Sequence, residues 1–183
     1  MDYREEFLST LDNVTIYTNS AVKIDLEDLK RFFKNARIEG RKIFFIGNGG
    51  STAIAEHMTV DYLKNGRMHT VNLFAAATLT CLSNDFGYEH VFSKQLEFMA
   101  QSGDILVAIS SSGNSPNIVN AVNKARELKM KILTLSGFDP DNKISKAGDY
   151  NLHVPSHRYG IVESIHNLIL QQILDEINAE EVN

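Results

Sequence analysis

Short apolar and β-branched runs alternate with segments of helical periodicity from residue 42 onward, and this alternation restricts the fold more than any other feature. The runs are Lys42–Ile46, Thr70–Phe74, Asp104–Ile109, Lys131–Leu135 and Tyr150–Val154. Runs of this length and composition are typical of strands buried on both faces. The segments between and after them predict helices over 52–64, 76–83, 90–101, 115–128 and 161–178. Strands that alternate with helices predict a parallel sheet covered by helices on both faces.

The first 38 residues precede this alternation and carry a different pattern. Residues 3–20 place Phe7, Leu8, Leu11 and Val14 at helical spacing, which predicts one amphipathic helix. A second helix is predicted to begin after Asp25, an N-cap residue type. We therefore expect one domain over residues 1–183, in which the helices of residues 1–38 serve in oligomerisation because their apolar stripe needs a partner.

The composition argues against nucleic acid and membranes as binding partners and against secretion. The net charge is −5 and the pI is about 5.7, and Lys and Arg form no cluster of the kind that binds nucleic acid. No apolar run is long enough to cross a bilayer, and the acidic N-terminus lacks the apolar segment of a signal peptide. A single cysteine allows no internal disulfide and favours a cytoplasmic location. We expect Cys81, within the apolar stretch 75–82, to be a buried structural thiol.

Two loops that follow predicted strands are candidates for binding an anion. Gly47-Asn48-Gly49-Gly50-Ser51 and Ser110-Ser111-Ser112-Gly113-Asn114-Ser115 each lie directly before a predicted helix. Their hydroxyls and the unpaired N–H groups of the helix N-termini can surround a phosphate without a lysine. The alternative is that Gly and Ser only form tight turns. Because both loops follow parallel strands, where open α/β sheets bind ligands, we favour binding.

Three stretches carry a resemblance to a known family. GNGGSTAIAEHM, SNDFGYEHVFSKQ and ISSSGNSPNIVNA are similar to the sugar isomerase (SIS) domain, and in particular to its phosphoheptose isomerase branch and the non-enzymatic relative that associates with the DnaA initiator. The resemblance extends to VPSHRYGIVESIH and covers nearly the whole chain. It implies a flavodoxin-like, three-layer αβα sandwich with a five-stranded parallel sheet, and a homotetramer with active sites between subunits.

The resemblance also implies roles for particular residues. It assigns the sugar phosphate to five serines, Ser51, Ser110, Ser111, Ser112 and Ser115. Asn48, Gly49 and Gly50 would lie along the substrate, and Asn84 and Asp85 would contact its hydroxyls. For the segment 84–87, an ordinary Asx turn followed by a glycine is the alternative.

The chain departs from the family at the positions that bind zinc there. His57 matches, but Asp61 replaces a Glu that is also the catalytic base, Glu163 replaces a Gln, and Gln171 replaces a His. His166 matches a further histidine of the last helix. The resemblance thus implies a divalent metal, zinc, held by His57, Asp61, Glu163 and Gln171, with Glu163 also near the substrate. Asp61, Gln171 and His166 are its catalytic candidates. A solvated His57–Asp61 pair with Glu163 as a surface acid is the alternative.

Two functions remain open at this point. The first is an aldose–ketose isomerase of sedoheptulose 7-phosphate or a related sugar phosphate, which needs a base and stabilisation of an enediol oxyanion. The second is a catalytically silent phosphosugar sensor or protein-binding scaffold. The acids at 61 and 163 favour the enzyme, whereas Gln171 favours the sensor because an amide does not titrate. A nucleotide-binding flavodoxin-like protein is a weaker third reading, since no ribose-binding acid stands out.

Overall fold

A computed structural model of the protein describes residues 2–182, with side chains up to residue 180. Its sheet has six strands in the order β1-β6-β5-β4-β2-β3. In chain order the elements are α1 (Tyr3–Asp12), β1 (Thr15–Thr18), α2 (Leu26–Ile38), β2 (Lys42–Ile46), α3 (Gly50–Lys64), β3 (His69–Val71), α4 (Ala76–Phe86), a 3-10 helix (Tyr88–His90), α5 (Val91–Met99), β4 (Ile105–Ser110), α6 (Pro116–Glu127), β5 (Lys131–Gly137), β6 (Tyr150–Val154) and α7 (Tyr159–Val182).

Strands form at all five predicted positions and pair in parallel, although the second is His69–Val71 where Thr70–Phe74 was predicted. Adjacent residues of β2 face opposite sides of the sheet: Ile43 and Phe45 join the core under α2, α3 and α7, whereas Phe44 and Ile46 join the core under α5 and α6. Both faces are therefore covered, and the predicted three-layer αβα sandwich is confirmed.

The prediction of one helix over residues 3–20 is wrong in its second half. The helix ends at Asp12, and Thr15–Thr18 forms a strand that pairs antiparallel with β6, with Ile16 opposite Leu152. β-Branched and aromatic residues suit a strand, and Ile16 is buried there. The sheet is thus six-stranded and mixed, where five parallel strands were predicted.

The apolar stripe of the N-terminal region has a partner within the same chain. Phe7, Leu11 and Val14 all pack against the core formed by α2, α3 and α7. Leu8, the fourth member of the stripe, stays 49% exposed, and the oligomerisation role of residues 1–38 stays a prediction. The predicted N-cap of α2 is confirmed, because the Asp25 carboxylate accepts from the Asp28 amide in a capping box.

Two further expectations concern the burial of Cys81 and the presence of a membrane-spanning segment. Cys81 is exposed on α4, where its thiol lies 3.6 Å from Asp85 Oδ2, so the prediction of a buried structural thiol is wrong. The apolar stretch around it belongs to a helix that buries only Leu82. No helix within residues 2–182 combines the length and the apolar character needed to cross a membrane.

Candidate functional site

The two predicted loops meet because their strands are neighbours. β2 and β4 pair in parallel, with Ile46 opposite Ala108, so the loops that follow them lie side by side at one end of the sheet. Between them is a cavity of about 340 Å³, a volume within the usual range for small-molecule sites. Its lining residues are Asn48, Gly49, Gly50, Ser51, Ile109, Ser110, Ser111, Ser112, Ser115, Tyr159 and Glu163. All five predicted phosphate-binding serines are among them.

The glycines of the first loop allow the close approach that forms one wall. Gly49 has a φ of 56°, a conformation that favours glycine. A Cβ atom at Gly50 would overlap the carboxylate of Glu163. Because α3 begins at Gly50, its first backbone N–H groups lie beside the cavity, where they favour an anion.

The serine loop is held in shape by its own hydroxyls. Ser110 Oγ accepts from the Gly113 amide at 3.2 Å, and Ser112 Oγ accepts from the Asn114 amide at 3.3 Å. Ser115 is the N-cap of α6, yet its side chain makes no capping hydrogen bond to the described chain. Its hydroxyl therefore stays available to a ligand.

Ser111 differs from the other serines of the loop. Its side chain is buried, and its Oγ has no hydrogen-bond partner among the described residues. A buried polar atom without a partner is unusual and calls for an explanation such as a bound ion. Since Ser111 also lines the cavity, a rotation of its side chain would bring this hydroxyl to an anion held there.

Asn48 is joined to two residues that the sequence analysis did not select. Its amide exchanges two hydrogen bonds with the buried amide of Asn117, at 2.9 and 2.8 Å. The hydroxyl of Tyr88 donates to Asn48 Oδ1 at 2.9 Å. Asn84 and Asp85 instead bond to each other at the surface and are not among the described residues that line the cavity. Within this subunit the SNDFGYEH segment thus reaches the site through Tyr88.

Glu163 brings a carboxylate to a cavity that suits an anion. It projects from the first turns of α7 onto the backbone of Gly50. Its partial burial raises the pKa of the carboxyl above the ordinary value. Its predicted place near the substrate agrees with this position.

A second polar group lies further along α3. Asp61 Oδ2 accepts from Gln171 Nε2 at 2.8 Å and lies 3.0 Å from His57 Nε2. His57 is mostly exposed, whereas Asp61 is largely covered. No described residue donates to the other carboxylate oxygen, Oδ1. The predicted i, i+4 pair on one helix face is therefore present, and Gln171 joins it.

His166 lies inside the core rather than at the cavity. It is fully buried, and its Nε2 is 3.1 Å from the carbonyl of Ser136, which requires an N–H donor at that nitrogen. Burial lowers its pKa to about 4, so the ring is neutral near pH 7. Its Nδ1 has no partner in the described part of the chain. This position does not support the direct catalytic role predicted for His166.

The predicted metal ligands do not converge within the subunit. Glu163 packs on Gly50, whereas His57 and Asp61 interact with Gln171, which follows Glu163 by eight residues, or about 12 Å of helix. Among the side chains of residues 2–180, no three His, Cys, Asp or Glu are grouped so that they could hold a metal. The described residues thus do not fit the zinc site implied by the resemblance.

The fold and the two loops define a family. Residues 2–137 match the SIS domain, and the chain belongs to the SIS domain family. Relatives place it within the phosphoheptose isomerase branch. The phosphoheptose isomerase of Aromatoleum aromaticum is 38% identical over 75% of this chain and 74% of the relative. That of Aliarcobacter butzleri is 34% identical over 97% and 93%. The solved structure of phosphoheptose isomerase from Neisseria gonorrhoeae, 30% identical, superposes with a TM-score of 0.84 over 97% of this chain and 95% of that one.

Three residues of the site were missed by the sequence analysis. Asn117 lies within ISSSGNSPNIVNA and Tyr88 within SNDFGYEHVFSKQ, so both belong to stretches that carried the resemblance although neither was given a role. Tyr159 follows the last strand but lies outside any glycine or serine loop. Its ring packs edge-on against Phe138, 4.9 Å between centroids.

Proposed function

We propose that the protein is an aldose–ketose isomerase of phosphorylated sugars with sedoheptulose 7-phosphate as its substrate. The convergence of two phosphate-type loops on one cavity carries the proposal, together with the unpaired hydroxyl of Ser111. Hydroxyls and helix N–H groups around the cavity supply donors to a phosphate without a cation. The similarity to phosphoheptose isomerases favours this reaction over other uses of a phosphosugar site.

Isomerisation moves a proton between adjacent carbons through an enediol, so it needs a base. Asp61 is our candidate, since its Oδ1 is free to take a proton while Oδ2 is occupied by Gln171 and His57. Gln171 and His57 would then orient the carboxylate. Gln171 acts here as a donor to Asp61 rather than as a proton carrier, because an amide does not titrate near neutral pH.

The distance between Asp61 and the phosphate loop supports an active site shared between subunits. Asp61 follows Ser51 by ten residues of α3, which is about 15 Å along the helix. An extended heptose phosphate measures only about 10 Å from phosphorus to C1, at roughly 1.2 Å per bond. Asp61 is also not among the described residues that line the cavity, so a sugar phosphate held there does not contact the Asp61 of the same subunit. The Asp61 of a neighbouring subunit would complete the site.

Exposed apolar side chains indicate where subunits would meet. Val60 and Leu63 on α3 are 55% and 53% exposed, and Leu168 on the adjacent α7 is 41% exposed. Exposed apolar side chains on neighbouring helices suit a protein–protein contact. We propose a homotetramer that buries this α3–α7 surface.

The proposal includes no zinc. Within one subunit His57, Asp61 and Glu163 do not meet, and an Asp61 that reaches the cavity from a neighbouring subunit already accepts from Gln171, an amide in place of a stronger metal ligand. It includes no nucleic acid or membrane partner, in keeping with the acidic composition. A cytoplasmic location is supported by the free, exposed thiol of Cys81.

A second candidate, a silent phosphosugar sensor, is favoured by one observation. Gln171 occupies a position at which the family enzymes have a histidine, and it already bonds to Asp61. The two candidates share the phosphate site and differ only in turnover.

Turnover of sedoheptulose 7-phosphate by the purified protein tests the choice. We expect isomerisation in the wild type, and at least a hundredfold loss in Asp61→Asn with unchanged affinity for the sugar phosphate. Asp12→Asn, an exposed change on α1, is the matched control. Binding without turnover in the wild type would leave the sensor as the function. Absence of binding would exclude both.

A further inference from the structure

Asn48, Asn117 and Tyr88 form a hydrogen-bonded group beside the cavity whose purpose none of the motifs explains. We propose that Tyr88 and Asn117 are positioning residues that fix the Asn48 amide so that it can only donate to the bound sugar phosphate. The inference rests on the proposed function, because it concerns the same cavity. It adds a requirement about which ligand atoms Asn48 can recognise.

A backbone group determines the orientation of Asn117. Asn117 Oδ1 accepts from the Ile118 N–H at 3.0 Å, in the first turn of α6, where this N–H also donates to the Ser115 carbonyl at 3.1 Å. A backbone N–H can only donate, so the oxygen of Asn117 must lie on this side. Asn117 is only 2% exposed, so its amide is shielded from water as a competing partner.

The orientation of Asn117 then determines that of Asn48. The same Asn117 oxygen accepts from Asn48 Nδ2 at 2.9 Å, while Asn117 Nδ2 donates to Asn48 Oδ1 at 2.8 Å. Rotating the Asn48 amide by 180° would place nitrogen against nitrogen and oxygen against oxygen. The Ile118 N–H on α6 thus fixes, through Asn117, the orientation of the Asn48 amide. Asn48 precedes Asn117 by 69 residues in the chain.

Tyr88 occupies the second acceptor position of the Asn48 amide oxygen. Its hydroxyl donates to Asn48 Oδ1 at 2.9 Å, so that oxygen has two donors for its two lone pairs. One of the two N–H groups of Asn48 Nδ2 donates to Asn117 Oδ1. Asn48 lines the cavity, and the capacity that remains to it is one N–H donor. It can bond to a phosphate oxygen or to a carbonyl or enediol oxygen, but it cannot accept from a sugar hydroxyl.

The segment that carries Tyr88 is itself anchored on α6. Gly87 has a φ of 85°, which turns the chain from α4 into the 3-10 helix. The Asn120 side chain donates to the Glu89 carbonyl at 2.9 Å. Tyr88 therefore reaches Asn48 from a backbone fixed by the same helix that fixes Asn117. The ring is 56% exposed, so removing its hydroxyl leaves the core intact.

Calorimetric titration with sedoheptulose 7-phosphate tests the proposal through a double-mutant cycle. Tyr88→Phe should weaken binding about threefold to tenfold, the effect of one neutral hydrogen bond. In the Asn48→Ala background the same change should have no effect, because Tyr88 acts only through Asn48. Tyr17→Phe, at an exposed tyrosine on β1, should change nothing in either background. Equal losses from Tyr88→Phe in both backgrounds, or no loss in either, would overturn the proposal.

Asn117→Asp provides an independent variant. An aspartate keeps the oxygen for the Ile118 amide but cannot donate to Asn48 Oδ1, so we expect a loss of at least tenfold in affinity. Should this variant fail to fold, the Tyr88 cycle decides alone. Repeating the titrations with inorganic phosphate identifies the ligand oxygen: losses with both ligands indicate phosphate, and losses with the sugar phosphate alone indicate a sugar oxygen. Wild-type protein that binds neither ligand would refute the proposed function, whereas normal binding in every variant would refute only this inference.

Discussion

Replacing Ser111 by alanine should leave the free protein at least as stable as before and yet weaken its binding of phosphate. In the free protein, the buried Oγ of Ser111 has no partner among the described residues. An unsatisfied buried hydroxyl destabilises a fold by about 1–3 kcal/mol, so its removal is neutral or stabilising. A hydrogen bond from this hydroxyl to a phosphate is worth about 1.5–3 kcal/mol, or roughly a 10-fold to 150-fold change in the dissociation constant.

Ser110→Ala is the matched control, because Ser110 is a buried neighbour whose hydroxyl accepts from the Gly113 amide at 3.2 Å. Its removal should lower the free energy of unfolding by about 0.5–1.5 kcal/mol. Urea denaturation measures the stability of the free proteins, and calorimetric titration with sedoheptulose 7-phosphate measures binding. The reasoning is refuted if Ser111→Ala destabilises the free protein as much as Ser110→Ala does and leaves the affinity unchanged.

Three further predictions concern other parts of the molecule. Burial lowers the pKa of His166 from 6.5 to about 4, so only the unfolded chain takes up a proton in this range. The free energy of unfolding should therefore decrease by roughly 3 kcal/mol between pH 6.5 and 4 on account of this residue, and urea titrations of His166→Gln should lack that component. Plasma-emission analysis should find well under one zinc per wild-type subunit and more in Asp61→Glu/Gln171→His; stoichiometric zinc bound through His57 would contradict our view of the site. Mixing Asp61→Asn subunits with subunits that carry Ser110→Ala, Ser112→Ala and Ser115→Ala should restore about a quarter of wild-type turnover if the site is shared between subunits, and no activity if it is not.

The sequence predicted those elements whose patterns are local. The runs at β2, β4, β5 and β6 are buried strands, as their continuous apolar character indicated. The phosphate loops could be located because each motif lies between a strand and a helix that are adjacent in sequence. Their meeting at one cavity followed from the parallel sheet.

What could not be predicted depends on contacts between distant residues. β1 has only four residues, and it forms because β6, more than 130 residues later, offers a pairing partner. Asn48 and Asn117 are 69 residues apart, so nothing local indicates that their amides bond. The separation of Glu163 from Asp61 depends on how α7 packs along α3, which the spacing of residues on one helix does not reveal.

The antiparallel pairing of Thr15–Thr18 with β6 also bears on how truncated forms would behave. Without β1, the backbone N–H and C=O groups of Tyr150–Val154 would line an unpaired sheet edge, and four of these five residues are buried in the intact protein. An unpaired edge of this kind is a template for pairing with other chains, whereas a very short edge strand such as the three-residue β3 is less of one. A truncated form that lacks residues 1–18 should therefore accumulate as insoluble aggregates during expression, even though its phosphate loops would be unchanged.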